Sequence, residues 1–228
     1  MSGLISPRRF APVVVAVILL VLACGCVSSA DTPHTAPNTA QPTVGHTAQP
    51  TVQYSTSPSP GQKQKPLPTA KQWKKDAKKV MRGSRAWLGD RVAAEQQREH
   101  PRKLAINSDI DNSAVGSFYL NGKATPGVYK FAKRAHNLEV ALLFNTARVG
   151  KQLKKARAVL RDAGYVVDGI CGRKSTKTAL VKGKQNCRAQ FAEQGYVLIA
   201  NVGNRPTDFR GGGYERAFRL PNYGMRLH

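Results

Sequence analysis

The apolar positions of this chain change period several times, and each change marks an element. Over residues 70–95, Trp73, Ala77, Val80, Met81, Trp87, Leu88 and Val92 recur at helical spacing with basic residues between them. Thr69, behind a proline, is a fair N-cap, and Gly83 leaves one bent helix or two short ones equally open. The short run Leu104–Ile106 is followed by a loop and an amphipathic stretch from Gly127 to His136. "EVALLFNT" (Glu139 to Thr146) is an apolar run of strand length. "VGKQLKKARAVLRDAG" then sets Val149, Leu153, Ala156 and Leu160 on one helical face, with Gly164 at the C-cap. "YVVDGI" (165–170) predicts a strand, 176–194 a helix, and "GYVLIANVG" (195–203) a further apolar strand. The closing "GGGYERAFRLPNY" predicts a short strand after a glycine turn.

Strands alternating with helices of ten or more residues imply right-handed crossovers and a parallel sheet. The fold class expected is α/β: a Rossmann-like, three-layer domain around a mainly parallel sheet, preceded by a helical extension. Ligands of such sheets bind beyond the carboxyl ends of the strands. Three polar stretches fall at those positions: "DIDN" (109–112), "NTAR" (145–148) and "GNRPTD" (203–208), each directly after an apolar run. Turn chemistry alone explains one such coincidence poorly extended to three.

The first part of the chain reads differently. Arg8 and Arg9 precede an apolar run from Phe10 to Ala23 that ends in small residues and cysteine. This is the pattern of an export signal over 1–26, and the run is short for a span of about 20 residues. In "VLACGC", Cys24 and Cys26 are the candidates for lipid attachment, with simple cleavage near Ser28–Ala30 the alternative. The expected location is therefore outside the cell, as a surface lipoprotein or a secreted protein. From Val27 to Gln62 half the residues are Ser, Thr or Pro, none is Lys or Arg, and TAQPTV occurs at 39–44 and again at 47–52. Such a stretch buries too little apolar surface to offset ordering entropy, so 27–68 is expected to be a disordered tether and 69–228 the folded domain.

Charge is confined to that domain. Of the chain's 36 Lys and Arg, 32 lie beyond residue 65, against 12 Asp and Glu there. The excess draws anionic ligands over a Debye length but specifies no chemistry. No nucleic-acid motif accompanies it, so no dedicated nucleic-acid site is expected, while anionic envelope polymers remain candidate partners. Membrane contact is expected only through the signal or a lipid anchor. Cys171 and Cys187 are the two cysteines of the domain, and outside the cell a disulfide between them is chemically open.

Asp109 and Asp111, one residue apart at a strand end, bring two carboxylates to one spot. One can attack as a nucleophile, and the other can protonate a leaving oxygen and then activate water. Two like charges so close call for a cation, and hard oxygen ligands suit Mg2+. Thr146 offers a hydroxyl and a backbone N–H to a phosphoryl oxygen, although an isolated threonine there is ordinarily a helix cap. Asn204 and Asp208 offer oxygens to a metal, although singly they read as loop turns. A lysine from the 176–194 helix would balance phosphoryl charge, with Lys177, Lys182 and Lys184 all candidates by composition.

In this order, "DIDNS", the strand into "FNTAR", "KQNCR" and "GYVLIANVGNRPTDFRGG" resemble the secreted acid phosphatases of the haloacid dehalogenase superfamily. The likeness runs from about Trp73 to "RAFRLPNY". It implies Asp109 as the nucleophile that forms an aspartyl-phosphate and Asp111 as general acid and base. It also implies a backbone carbonyl of Asp111 on Mg2+, and Thr146, Lys184 and Asn112 on the phosphate. Lys184 stands four residues before Arg188, as in the family's third motif. The metal set implied is Asp109, Asp111, Asn204 and Asp208. The fourth motif ordinarily reads Gly-Asp-x-x-x-Asp, whereas here Gly203 is followed by Asn204, an amide without charge. Intervals of 37 residues from Asp109 to Thr146 and 38 from Thr146 to Lys184 leave no room for a sizeable cap domain. An open crevice for varied phosphomonoesters follows. The alternative reading is a non-catalytic protein of the same fold that binds phosphorylated or polyanionic ligands at the cell envelope.

Overall fold

The computed structural model describes residues 65–227. The expected signal, the lipidation candidates Cys24 and Cys26 and nearly all of the tether lie outside the described residues. Among the described residues, no helix is long and apolar enough to cross a membrane.

Five strands form one parallel sheet: β1 (Lys103–Ser108), β2 (Ala141–Val149), β3 (Gly169–Arg173), β4 (Tyr196–Gly203) and β5 (Arg216–Arg219), in the order β3-β2-β1-β4-β5. Helices α1 (Ala70–Val80), α2 (Ser84–Gln96), α3 (Pro126–His136), α4 (Gln152–Asp162) and α5 (Leu180–Glu193) complete the fold. The α/β, three-layer architecture expected from the alternation of elements is the one found.

The strands alternate their side chains between two apolar layers, as a pleated sheet covered on both faces must. Leu104 and Ile106 of β1 and Leu142 and Phe144 of β2 join a core shared with α1 to α4, while Ala105 and Leu143 face the other way. That second layer is built with α5, through Cys187 and Phe191. In β4 a register shift opposite Ala105 and Ile106 inserts one residue, so Ile199 and Ala200 both reach the larger core.

The helical extension is two helices. Gly83, at φ 74°, ends the first turn of the corner between α1 and α2, and Thr69 Oγ1 caps α1 by accepting the Gln72 N–H at 3.2 Å. Trp73 and Leu88 are fully buried, Leu88 in the larger core and Trp73 against the Tyr119 ring at 5.5 Å between centroids.

Three boundaries differ from the periodicity. Val149 ends β2 rather than opening α4, because Arg173 pairs opposite it across an irregular step in the ladder. The strand expected over 165–170 begins only at Gly169. Before it, Tyr165 is held by its hydroxyl on Ala114 O (2.7 Å) and the Asp168 carboxylate accepts the Leu142 N–H (2.7 Å), so side chains rather than a ladder fix that stretch. The helix expected over 176–194 starts at Leu180, because Arg173 donates to the carbonyls of Thr176 and Thr178 and holds 174–179 as a turn.

Candidate active site

The carboxyl ends of β1, β2 and β4 meet the N-terminal half of α5, and there the chain gathers its charged side chains. Asp109 leaves β1 with its N–H on Val202 O (2.8 Å), which sets it between the ends of β1 and β4. The loop then turns back: Ala114 N–H reaches Asp109 O (3.1 Å) and Val115 N–H reaches Ile110 O (3.0 Å). Asn112 adopts φ 53°, and its buried amide oxygen accepts the Phe118 N–H at 2.8 Å. Asn112 thus shapes the loop as well as lining the crevice.

Lys184 is the lysine the fold delivers. Its side chain is 5 % exposed, and Nζ lies 2.5 Å from Asp109 Oδ1, 2.7 Å from Asn145 O and 3.1 Å from Asp208 Oδ1. Lys177 and Lys182 are exposed. Gly183, one residue earlier, has room only for hydrogen, since a Cβ would lie 2.4 Å from Arg173 Cγ.

Asp208 Oδ2 accepts the N–H groups of Asn204 (3.0 Å) and Arg205 (2.9 Å), which closes the "GNRPTD" loop onto itself. With Oδ1 on Lys184, both its oxygens are engaged. Gly203 permits this packing, because a Cβ there would approach Asp208 to 2.6 Å. Asp111 is half-exposed and takes a two-pronged ion pair from Arg148, with Nη1 at 2.5 Å and Nη2 at 3.0 Å, and a hydrogen bond from Ser117 Oγ at 2.7 Å. Thr146 is buried, and its hydroxyl accepts long contacts from Arg148 N and Nη1, both 3.4 Å. It does not cap α4, which starts at Gln152.

Burial pushes Asp109 up to about 6, against the pull of Lys184 and with the Asp208 charge adding to the rise. Burial raises Asp111 as well, but the hydrogen bonds from Arg148 and Ser117 outweigh it and hold that carboxyl below its ordinary range. Lys184 is desolvated, yet Asp109 and Asp208 more than compensate and keep its ammonium charged.

The residues singled out in the sequence therefore converge. Asp109, Asp111, Asn112, Thr146, Lys184 and Asp208 line one crevice of about 260 Å3. A roomier cavity, about 480 Å3, opens among Leu104, Val140 and Tyr196 at the opposite ends of the strands and contains none of them. Cys171 of β3 and Cys187 of α5 form a disulfide one helical turn behind Lys184.

Other contributors were not singled out. Asn107, Asn145 and Asn201 are buried polar residues in otherwise apolar strands, and for Asn107 and Asn201 that interruption was the only signal, whereas Asn145 opened the polar stretch 145–148. Asn107 donates to Asn201, whose own amide donates to Asp208 O (2.9 Å), while Asn145 donates to Lys184 O (3.0 Å). Arg188 clamps the next loop through the carbonyls of Asp208, Arg210 and Gly212. Residues 222–227 form a strap across the crevice. Asn222 donates to Asn204 O, Arg205 donates to Leu227 O (3.3 Å), and the buried Leu227 lines the crevice wall.

A divalent cation can be tested against this donor set. Among the described residues, no three His, Cys, Asp or Glu side chains cluster as a metal cage. Two oxygens nevertheless suit a hard cation: the Asp109 carboxylate in the crevice, and Asn204 Oδ1, which is buried and without a hydrogen-bond partner although Asn204 does not itself line the crevice.

Comparison with known proteins agrees. The family model of the haloacid dehalogenase superfamily, subfamily IIIB (acid phosphatase), matches residues 119–226, which include Thr146, Lys184, Asn204 and Asp208 and begin after the Asp109–Asp111 pair. A class C acid phosphatase from Bacillus anthracis, solved with tungstate bound, superposes with a TM-score of 0.52 at 17 % identity over 68 % of this chain and 79 % of that one. A second structure of the Bacillus anthracis class C acid phosphatase gives 0.48 at 18 % identity over 67 % and 82 %. No curated protein sequence matches the chain. Over residues 119–226 the described domain is thus similar to the acid phosphatases of the haloacid dehalogenase superfamily, subfamily IIIB, and it shares their parallel α/β fold.

Proposed function

We propose that the protein is an exported, Mg2+-dependent phosphatase that hydrolyses phosphomonoesters through an aspartyl-phosphate on Asp109. The observation that carries this reading is the pairing of two carboxylates with opposite surroundings. Asp109 is enclosed and fixed, with Lys184 on Oδ1 and Ser113 Oγ on Oδ2 (3.1 Å), whereas Asp111 is 44 % exposed at the crevice mouth. Fixed geometry suits a nucleophile, and access to the leaving group suits an acid.

In the first half-reaction, an Asp109 oxygen bonds to phosphorus as the bond to the leaving oxygen breaks, and Asp111 gives that oxygen its proton. In the second, Asp111 takes a proton from water as the water oxygen bonds to phosphorus. The bond to Asp109 breaks, and inorganic phosphate leaves. Lys184 and the Thr146 hydroxyl hold the phosphoryl oxygens in both steps, so the charge that develops meets groups already in place. Because Arg148 holds Asp111 ionised, an acidic medium supplies the proton that the leaving oxygen needs.

Asp109, the Asp111 carbonyl and Asn204 would hold Mg2+, which supplies charge neutralisation at the attacking carboxylate and a phosphoryl oxygen. Asp208 joins this set through its hold on Lys184 and on the Asn204 N–H. Export rests on the "RRFAPVVVAVILLVLACGC" pattern of the first residues.

The test is hydrolysis of a chromogenic phosphate ester across pH, with and without Mg2+, by the native protein and by Asp109→Asn. Activity that survives Asp109→Asn sinks the covalent route. Asn204→Asp restores the charge ordinarily found in the fourth motif, so titration calorimetry should show tighter Mg2+ binding in that variant. Equal or weaker binding would remove Asn204 from the metal set.

A further inference from the structure

A second cluster of charge lies away from the crevice, where the corner between α1 and α2 meets the start of α3. A cleft of about 360 Å3 is lined there by Lys78, Arg82, Arg85 and Lys130, over a floor of Met81 and Gly127. No acidic residue lines it. All four cationic side chains are exposed, and among the described residues none takes part in an ion pair. The contrast with the rest of the domain is instructive. Glu95 alone collects Arg91, Arg98 and Arg102, and the crevice carboxylates take Lys184 and Arg148.

The cleft is a built feature of the fold. Gly127 packs so close to Met81 that a Cβ would lie 3.2 Å from its side chain, and buried Ser84 donates to Met81 O at 2.8 Å. Lys78, Arg85 and Lys130 from three helices and Arg82 from the corner between α1 and α2 are thus carried on a fixed frame, and their mutual repulsion costs free energy that a bound anion would return. The charge continues outward on both sides, through exposed Lys74, Lys75 and Lys79 on α1 and Lys133 and Arg134 on α3.

We propose that this cleft is a docking site for a phosphate-rich anionic polymer, separate from the catalytic crevice. The concave shape suits a chain of anionic groups laid into it and continued along the flanking lysines. A membrane surface fits less well: the exposed large apolar side chains Phe118, Val159, Val166 and Met225 all lie outside the cleft, so it carries nothing to insert among acyl chains. Docking there would hold the enzyme along a polymer while the crevice stays open.

The experiment uses the full chain and long-chain inorganic polyphosphate as probe, with binding measured across a salt series. The variant Lys78→Gln/Arg82→Gln/Arg85→Gln/Lys130→Gln is compared with Lys151→Gln/Lys154→Gln/Lys155→Gln/Arg161→Gln, which removes the same charge from exposed positions on and beside α4. The cleft variant should lower the slope of log K against log salt by about 3, at roughly 0.7 per lost contact to a flexible strand. The control variant should change it by less than about 1 on the same scale. Hydrolysis of a small chromogenic ester should match the native protein in both. Equal losses in the two variants would overturn the proposal in favour of diffuse charge. So would a cleft variant that keeps polyphosphate but loses anionic phosphatidylglycerol vesicles. Loss of polyphosphate binding in Asp109→Asn would move the polymer into the crevice and overturn it too.

Discussion

Replacing Lys184 with methionine removes the one cation between two carboxylates, and the cost can be worked from their surroundings. Asp109 and Asp208 have side chains only 13 % and 4 % exposed, and each lies within 3.1 Å of Lys184 Nζ. Breaking a buried pair from one side leaves charge without compensation and costs about 3–5 kcal/mol. At ~2–4 °C per kcal/mol for a domain of this size, the melting temperature should fall by roughly 6–20 °C. The pH dependence gives the sharper test. Lys184 is the main pull holding down Asp109, which burial already raises, so without the lysine Asp109 gains a proton still more readily in the fold than in the unfolded chain. The native state then binds more protons, and the variant gains stability as the pH falls. Thermal melts followed by circular dichroism, with a chelator present from pH 8 to pH 5, should show the deficit shrinking toward the acid end. Lys184→Met combined with Asp109→Asn and Asp208→Asn should recover part of the loss at neutral pH, because the buried charges are gone together. A Lys184→Met protein that melts with the native one at every pH would refute the reasoning.

Two further outcomes follow from groups outside the crevice. Glu95 is held far below its ordinary range, chiefly by the Arg102 guanidinium, whose Nε and Nη2 both lie at 2.7 Å, with Arg91 adding to the pull. Its contribution is complete above the ordinary carboxylate range and fades as the pH drops below it, so Glu95→Gln should destabilise most at neutral pH and least in acid; a deficit that grows in acid would refute this. Reducing the Cys171–Cys187 disulfide, which closes a loop of 16 residues, should cost about 3 kcal/mol. Urea midpoints with and without reductant read it directly, and coincident midpoints would refute it.

What the sequence made legible was whatever repeats locally. Apolar runs located β1, β2 and β4, and the polar stretches at their ends pointed to Asp109, Asp111, Thr146 and Asp208, which line one crevice because strand ends in a parallel sheet share one edge. Composition left Lys177, Lys182 and Lys184 open and only the spacing to Arg188 favoured Lys184; α5 buries Lys184, while Lys182 and Lys177, the latter ahead of the helix, are exposed. Arg148 was visible as a residue but not as a partner, since its pairing with Asp111 spans 37 positions and depends on the turn of the 109–125 loop. The start of β3 was misplaced because Tyr165, Val166 and Val167 look like a strand, while hydrogen bonds from distant segments hold them as a connection. Periodicity carries no information about such tertiary bonds.

The strap of residues 222–227 has a consequence for the order in which the crevice is assembled. Arg226 donates to Lys65 O across 161 positions, and Tyr223 donates to Asp76 across 147. Contacts between segments so far apart close late, because the entropy of bringing them together is offset only once the intervening sheet exists. The crevice edge formed by β1, β2 and α5 can therefore be complete while its outer wall is still missing. During synthesis, Asn204 waits for Asn222 until the last strand has left the ribosome and docked beside β4. A chain nicked between β5 and the strap would keep the sheet and its two aspartates yet lose the Leu227 wall, so resistance to proteolysis at that junction reports on an intact crevice more directly than helix content does.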